Sequence, residues 1–315
     1  MYQERWNTVD RELLSERTRD GHHDDDRLPA RSRSHPLLRG ARHRPPLLIS
    51  QSGEGDAGRS VDLVDHLTDA YTVITYDRRG LSRSTLDGPG RRVTMEEHAD
   101  DVHRLLAEVT GEPAAMLGCS MGAAVGPHLA LHHPGQLSTL IAHEPVAPRL
   151  LPPADRARHE AELADVQRLY RREGLAPALK VVVEVLGIDP AAPDAEPDLT
   201  PQPMTPDRIA NFDFFLEHDF TAVIGDTLPV TGLASTGTRI VPAIGRTTPR
   251  TVFDHHCARE LAGLLGTGLT EFPGGHNGNT THPRAYAARL REVLRTPAVP
   301  REFVNSEGGT VRNPR

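Results

Sequence analysis

Five residues constrain this chain most: Gly118-Cys119-Ser120-Met121-Gly122. They form a Gly-x-Ser-x-Gly set with a short apolar run, Ala114-Ala115-Met116-Leu117, before it. Residues 123–133 follow as a helix-like run with Leu129 and Leu131, stopped by Pro134-Gly135. The pattern reads as strand, tight turn and helix. A glycine on each side lets strand and helix approach closely. The serine between them is expected on a strained turn with its hydroxyl exposed. The helix N-terminus beneath it favours negative charge developing nearby.

The flanking sequence repeats this alternation. Leu47-Leu48-Ile49 reads as a buried strand, followed by the Gly-rich stretch Ser52-Gly53-Glu54-Gly55. Val61, Leu63, Val64 and Leu67 place a helical face over residues 59–70. Residues 71–76 are a β-branched strand that ends at Asp77-Arg78-Arg79-Gly80. Thr94-Met95-Glu96-Glu97 is a capping box opening a helix to about Val109. Residues 137–142 make the next strand, ending at His143-Glu144-Pro145. Such alternation predicts the α/β class, with a mostly parallel central sheet and helices on both faces. Sites in these sheets gather at the carboxyl ends of the strands. Ser52-Gly53, Asp77, Ser120 and Glu144 all fall there.

Between 146 and 236 the alternation stops. Helices are expected over 155–172, 175–186 and 207–218, with a proline-rich loop at 189–206. We read this segment as a helical cap insertion over the site. Ile209, Phe212, Phe215 and Leu216 form an apolar stripe on its last helix. Such a stripe packs against other helices, or presents Phe212 and Phe215, or Phe214, to a substrate. The sheet resumes at 239–244, with a helix over 251–265, a strand at 269–272 and a last helix over 284–294. The α/β core is therefore 45–145 plus 237–295. Residues 1–44, with six arginines between Arg27 and Arg44, read as a disordered tail, and 296–315 as a second tail.

A net charge of −7 with mixed signs carries no basic face for nucleic acid. The first 20 residues hold no apolar signal core, and no run of 18 apolar residues spans a membrane. Two cysteines make neither a disulfide framework nor a metal cluster, so the expected compartment is cytoplasmic. His22-His23-Asp24-Asp25-Asp26 is read as a solvated charged run, and no metal or cofactor is expected. The loop at 52–55 lacks the patterns that cradle phosphate. Oligomeric state is not readable from these features.

A serine needs a base to take its proton. Among 17 histidines, His276 in the loop Pro273-Gly274-Gly275-His276-Asn277-Gly278 is the candidate, since it follows the last strand and lies C-terminal to Ser120. An oxyanion formed on attack requires backbone N–H donors, expected from Met121 and from Gly53 or Glu54.

These segments together resemble the α/β-hydrolase superfamily with an inserted cap. The resemblance rests on residues 47–56, Asp77-Arg78-Arg79-Gly80-Leu81-Ser82-Arg83-Ser84, residues 118–122 and Phe272-Pro273-Gly274-Gly275-His276. It implies Ser120 as nucleophile, His276 as general base and an oxyanion hole at Met121 and the 53–54 loop. It implies hydrolysis of an acyl bond of a small molecule. An ester comes first, and a thioester, lactone or amide fits the same residues.

Three departures accompany the resemblance. The acid usual after the strand at 239–244 is missing from Gly245-Arg246-Thr247-Thr248. Glu144 is the expected substitute and Asp254 its runner-up. The oxyanion loop begins Ser52-Gly53 where His-Gly is usual. The Arg-rich 27–44 stretch suits the family's opening hairpin poorly. A different class therefore stays open: a hydrolase-like binding or accessory protein that has lost catalysis.

Overall fold

The computed structural model describes residues 44–86, 93–191 and 193–296. The two expected tails, the histidine–aspartate run and the 27–44 stretch lie outside these residues, save Arg44 and Thr296. Among the described residues there are six strands: β1 (Pro46–Ser50), β2 (Thr72–Thr75), β3 (Ala114–Cys119), β4 (Leu137–His143), β5 (Arg239–Gly245) and β6 (Thr270–Phe272). They form one sheet in the order β2-β1-β3-β4-β5-β6, with every neighbouring pair parallel.

Strand side chains alternate between two cores, as the two-residue period of a strand requires. Leu48, Met116, Leu140 and Ile240 enter one core; Leu47, Ile49, Leu117, Ile141 and Val241 enter the other. Both faces are apolar because helices cover both. The second core is closed by α1 (Val61–Asp65) through Leu63, and from the far end of the chain by Tyr286 and Leu290. The first is closed by α2 (Met95–Val109) and α3 (Met121–His132). Thr94 caps α2 as its sequence predicts: its hydroxyl accepts the Glu97 N–H, and the Glu97 carboxylate accepts the Thr94 N–H.

Residues between β4 and β5 form α4 (Pro153–Glu173), α5 (Leu175–Val185), α6 (Pro206–Phe214) and α7 (Phe220–Ile224). After β5 come α8 (Phe253–Leu265), α9 (Gly278–Thr281) and α10 (Pro283–Arg295). Three elements differ from expectation. The helix over 59–70 is cut to α1, because the His66 and Leu67 N–H groups bond three residues back and tighten the chain into turns. The helix over 207–218 is interrupted by a π-helical turn, Phe215–Asp219, between α6 and α7. The single turn α9 directly follows the histidine loop and has no apolar period to announce it.

β1 pairs with β2 on one side and β3 on the other. Connections leaving β1 and β3 therefore diverge, which opens a crevice at their carboxyl ends. Ser50 lies in register with Gly118. The Gly-rich loop and the Gly-x-Ser-x-Gly turn thus face one another across it.

Candidate active site

Ser120 joins β3 to α3 with φ 54° and ψ −109°, a strained conformation for a residue with a side chain. The flanking glycines are required by backbone. A Cβ at Gly118 would lie 2.6 Å from the Gly122 carbonyl oxygen, and one at Gly122 would lie 2.1 Å from the Ser50 carbonyl oxygen. The Ser120 N–H donates to His143 O at 2.9 Å, and the Gly122 N–H donates to Gln51 O at 3.1 Å. The turn is therefore stitched to β4 and to the end of β1. Ser120 is 2% exposed, so the residue is buried, whereas the sequence suggested an exposed hydroxyl.

Glu144, Asp254 and His276 converge, from the end of β4, the first turn of α8 and the loop after β6. His276 Nδ1 lies 2.8 Å from Glu144 Oε2 and 2.7 Å from Asp254 Oδ2. Glu144 also has a left-handed backbone, φ 46°, and its Oε1 accepts the Gly245 N–H at 2.6 Å. All three side chains are buried. His276 Nε2 is buried and makes no hydrogen bond among the described residues.

Their proton affinities follow from this packing. Burial pushes Glu144 up, but its hydrogen bond with His276 and the nearby imidazoles outweigh burial and bring it down to about 2. Burial raises Asp254, and the Glu144 charge beside it adds to the rise, to about 7. Burial works to lower His276, yet the Asp254 and Glu144 carboxylates raise it above the ordinary imidazole value. Two carboxylates on one nitrogen do not both ionise freely.

Arg78 organises the opposite wall. Its guanidinium, 1% exposed, donates to Gln51 O (3.2 Å), Ser52 O (2.7 Å), Gly53 O (2.5 Å) and Asp219 Oδ2 (2.7 Å). In a trans peptide the N–H points opposite to the C=O. With the Ser52 and Gly53 carbonyls on Arg78, the Gly53 and Glu54 N–H groups point away from it. Asp219 also meets His98 Nε2 at 3.0 Å through Oδ1. Burial raises the Asp219 pKa, but the Arg78 charge and His98 reverse that and hold it below the usual value.

Asp219 ends the π-helical turn. A π turn frees carbonyls from the α pattern, and Gln167 of α4 answers with its amide, donating to Leu216 O at 2.8 Å and Glu217 O at 3.2 Å. Two phenylalanines of this stretch rest on turn glycines. A Cβ on Gly53 would fall 2.3 Å from the Phe215 ring, and one on Gly80 2.1 Å from Phe214. Phe215 and Val146 help line an apolar void of about 10 Å³, too small for a ligand. Phe212 is half-buried, with the Arg208 guanidinium 5.5 Å from its ring centroid. Asn211 bonds the Ser82 N–H and the Glu54 carbonyl. That clamp holds Ser82 at φ 45°, a left-handed backbone that favours glycine.

The structure thus brings His276, Glu144 and Asp254 into one cluster, and sets Gly53, Glu54 and Phe215 in one neighbourhood. Glu144, Asp254 and His276 present ligand atoms within 4.8 Å of one another, as do Glu96, His128 and Asp226. In the first group the short N···O contacts are those of charge-assisted hydrogen bonds. His255, next to Asp254 in α8, is also buried. Sequence reasoning missed Arg78 as an organiser, and missed Asp219, which lies 141 residues away from it. No described helix is long and apolar enough to cross a membrane.

The sequence profile of the alpha/beta hydrolase fold matches residues 45–186. A protein named "uncharacterized hydrolase YraK" from Bacillus subtilis is 33% identical over 254 residues, covering 79% of this chain and 89% of that protein. A hydrolase from Pseudomonas aeruginosa has the same fold at 24% identity and a TM-score of 0.59, over 82% of this chain and 92% of that one. A thermophilic esterase from Thermogutta terrifontis does so at 19% identity and a TM-score of 0.61, over 80% and 90%. The chain belongs to the alpha/beta hydrolase fold family.

Proposed function

We propose that this chain is a serine hydrolase that cleaves an acyl bond of a small molecule, a carboxylic ester first, through an acyl-enzyme intermediate. One observation carries the reading. His276 is held at Nδ1 by buried carboxylates, while its other nitrogen, Nε2, is buried with no hydrogen bond among the described residues. That is an imidazole fixed in one tautomer with its basic nitrogen kept free.

In this reading Ser120 Oγ attacks the acyl carbon and its proton passes to His276 Nε2. Glu144 is the acid of the triad, stabilising the imidazolium at Nδ1. The Met121 N–H, with that of Gly53 or Glu54, receives the oxyanion. The tetrahedral adduct collapses, and the leaving alcohol takes the proton from Nε2. Water then repeats the sequence and frees the acid. Residues 146–236 act as the cap, with Phe212 and Phe215 on the substrate side. Fold relatives bearing the names hydrolase and esterase support the reaction class.

The test is labelling with a fluorophosphonate, read by mass spectrometry of the peptide containing Ser120. Rapid modification at Ser120 that is lost in His276→Ala is the expected result. No modification of the folded protein would favour the accessory-protein reading instead.

A further inference from the structure

Glu96, His128 and Asp226 form the other cluster of ligand-type side chains among the described residues, and no step of the proposed reaction uses it. They come from three places. Glu96 is in the first turn of α2, His128 is in α3, and Asp226 lies just after α7 in the 146–236 segment. The sequence does not announce the cluster, because 98 residues separate His128 from Asp226.

His128 is fully buried, and its two nitrogens face different carboxylates. Nε2 lies 3.0 Å from Asp226 Oδ1, which also accepts the Leu228 N–H at 2.8 Å. A carboxylate only accepts, so Nε2 carries the proton of the neutral imidazole. Nδ1 is then the bare nitrogen. It is buried, makes no hydrogen bond among the described residues, and faces Glu96 Oε1 at 3.8 Å. That separation is too long for a hydrogen bond. A nitrogen lone pair and a carboxylate oxygen set against each other are two acceptors that one cation satisfies together.

The surroundings fit a metal ion. A metal-binding histidine commonly donates its second N–H to a carboxylate, which fixes the tautomer and raises the basicity of the ligating nitrogen. Asp226 stands in that place. Zinc bonds to imidazole nitrogen and carboxylate oxygen of about 2.0–2.2 Å let one ion bridge atoms roughly 3.4–4.2 Å apart. The 3.8 Å between Nδ1 and Oε1 falls in that span. His132 lies one turn further along α3, exposed, with its ring centroid 5.6 Å from that of His128. Histidines at i and i+4 share a helix face and can take one ion between them. The Glu96 side chain is 41% exposed, which leaves an ion a way in from solvent. Imidazole donors favour zinc and its transition-metal neighbours over magnesium or calcium.

The geometry points to a binding site for a divalent transition-metal ion, zinc foremost, at Glu96 Oε1, His128 Nδ1 and His132, with Asp226 fixing the His128 ring from behind. The Thr227 hydroxyl donates to Glu96 Oε1 at 3.1 Å, so the chain leaving α7 already rests on this carboxylate. An ion here ties α2 and α3 to that chain. It stabilises the fold and takes no part in the reaction at Ser120, so the proposal stands or falls apart from the hydrolase reading.

The test is thermal unfolding of the full chain, stripped with chelator and titrated with ZnCl₂, CoCl₂ or MgCl₂. Zn²⁺ at roughly 100 times its Kd is expected to raise Tm by about 5 °C, and Co²⁺ to develop visible absorption bands. Glu96→Gln and His132→Ala change partly or fully exposed side chains and should each weaken Zn²⁺ binding at least about tenfold. Asp226→Asn keeps all three ligands and should weaken it by about tenfold through the ring it no longer fixes. Metal held by the His22-His23 run is common to every variant and cancels in the comparison. His128→Asn removes the buried ligand; should that protein fail to fold, the Glu96 and His132 variants carry the test. No rise in Tm with Zn²⁺, a rise unchanged in both of those variants, or an equal rise with Mg²⁺ would overturn the proposal.

Discussion

Glu144 and Asp254 compete for one proton donor. Their carboxylate oxygens stand 2.8 and 2.7 Å from the same nitrogen, His276 Nδ1. Their other oxygens differ. Glu144 Oε1 accepts the Gly245 N–H, while Asp254 Oδ1 is buried with no hydrogen bond among the described residues. Negative charge therefore settles on Glu144, and Asp254 is the carboxyl that keeps a proton, consistent with its rise to about 7. Gly245-Arg246-Thr247-Thr248 after β5 holds no carboxylate, and two carboxylates from elsewhere in the chain reach the imidazole.

Unequal roles follow for the two. Glu144→Gln removes the charge that supports the imidazolium and is expected to lower kcat about 10²- to 10⁴-fold. Asp254→Asn replaces a group whose pKa, raised to about 7, leaves it only partly ionised near pH 7, and should cost less than about tenfold. Steady-state rates on one ester, with the double variant completing the cycle, check this. A larger loss from Asp254→Asn would reverse the assignment.

The pH profile gives an independent readout. Only the neutral imidazole accepts the Ser120 proton, so activity is present above the His276 pKa and lost below it. Both carboxylates raise that pKa, so the acid limb of kcat/KM should lie above the ordinary imidazole value of about 6.5. Asp254, with its pKa raised to about 7, is charged above that pH, so Asp254→Asn removes the charge it carries there and should move the limb to lower pH. A limb that does not move would show that Asp254 has no hold on the base.

Much of this was legible in the sequence. Strand and helix periods located all six strands, and the glycines about Ser120 are where backbone contacts leave no room for a Cβ. His276 and Glu144 could be chosen because strand ends are local features. Asp254 could be named but not ranked, since its pairing depends on how α8 packs. Arg78 and Asp219 were not legible. An arginine in a polar turn looks solvated, and nothing in the residues around 219 announces a partner 141 positions earlier. The π-helical turn that aims Asp219 was hidden for the same reason: its freed carbonyls are answered by Gln167, from another helix.

That pairing is itself testable. Lysine at 78 keeps the charge but lacks the fork that reaches three carbonyls and Asp219. Arg78→Lys should let the 52–54 loop drift and lower kcat by about 10²-fold. Asp219→Asn leaves a buried guanidinium without its counter-charge, and urea unfolding should show a loss of about 3–5 kcal/mol. The sign with pH follows from the depressed Asp219 pKa. Its contribution is present above the ordinary aspartate value of about 3.9 and fades as pH falls through the folded pKa. The gap between the two proteins should therefore narrow in acid.

Two glycines separate backbone constraint from side-chain constraint. At Gly122 a Cβ meets the Ser50 carbonyl, which is fixed by the sheet. Gly122→Ala should disrupt the turn, and no single second change should restore fluorophosphonate labelling of Ser120. At Gly53 the obstacle is the Phe215 ring, a side chain. Gly53→Ala should abolish labelling by pushing the loop off its place, and Phe215→Leu in the same protein should recover part of it by vacating the space. Rates of labelling in the single and double variants measure the difference. Recovery at Gly122 would show that the Ser50 backbone does not hold that turn, and none at Gly53 that Phe215 does not set the position of the loop.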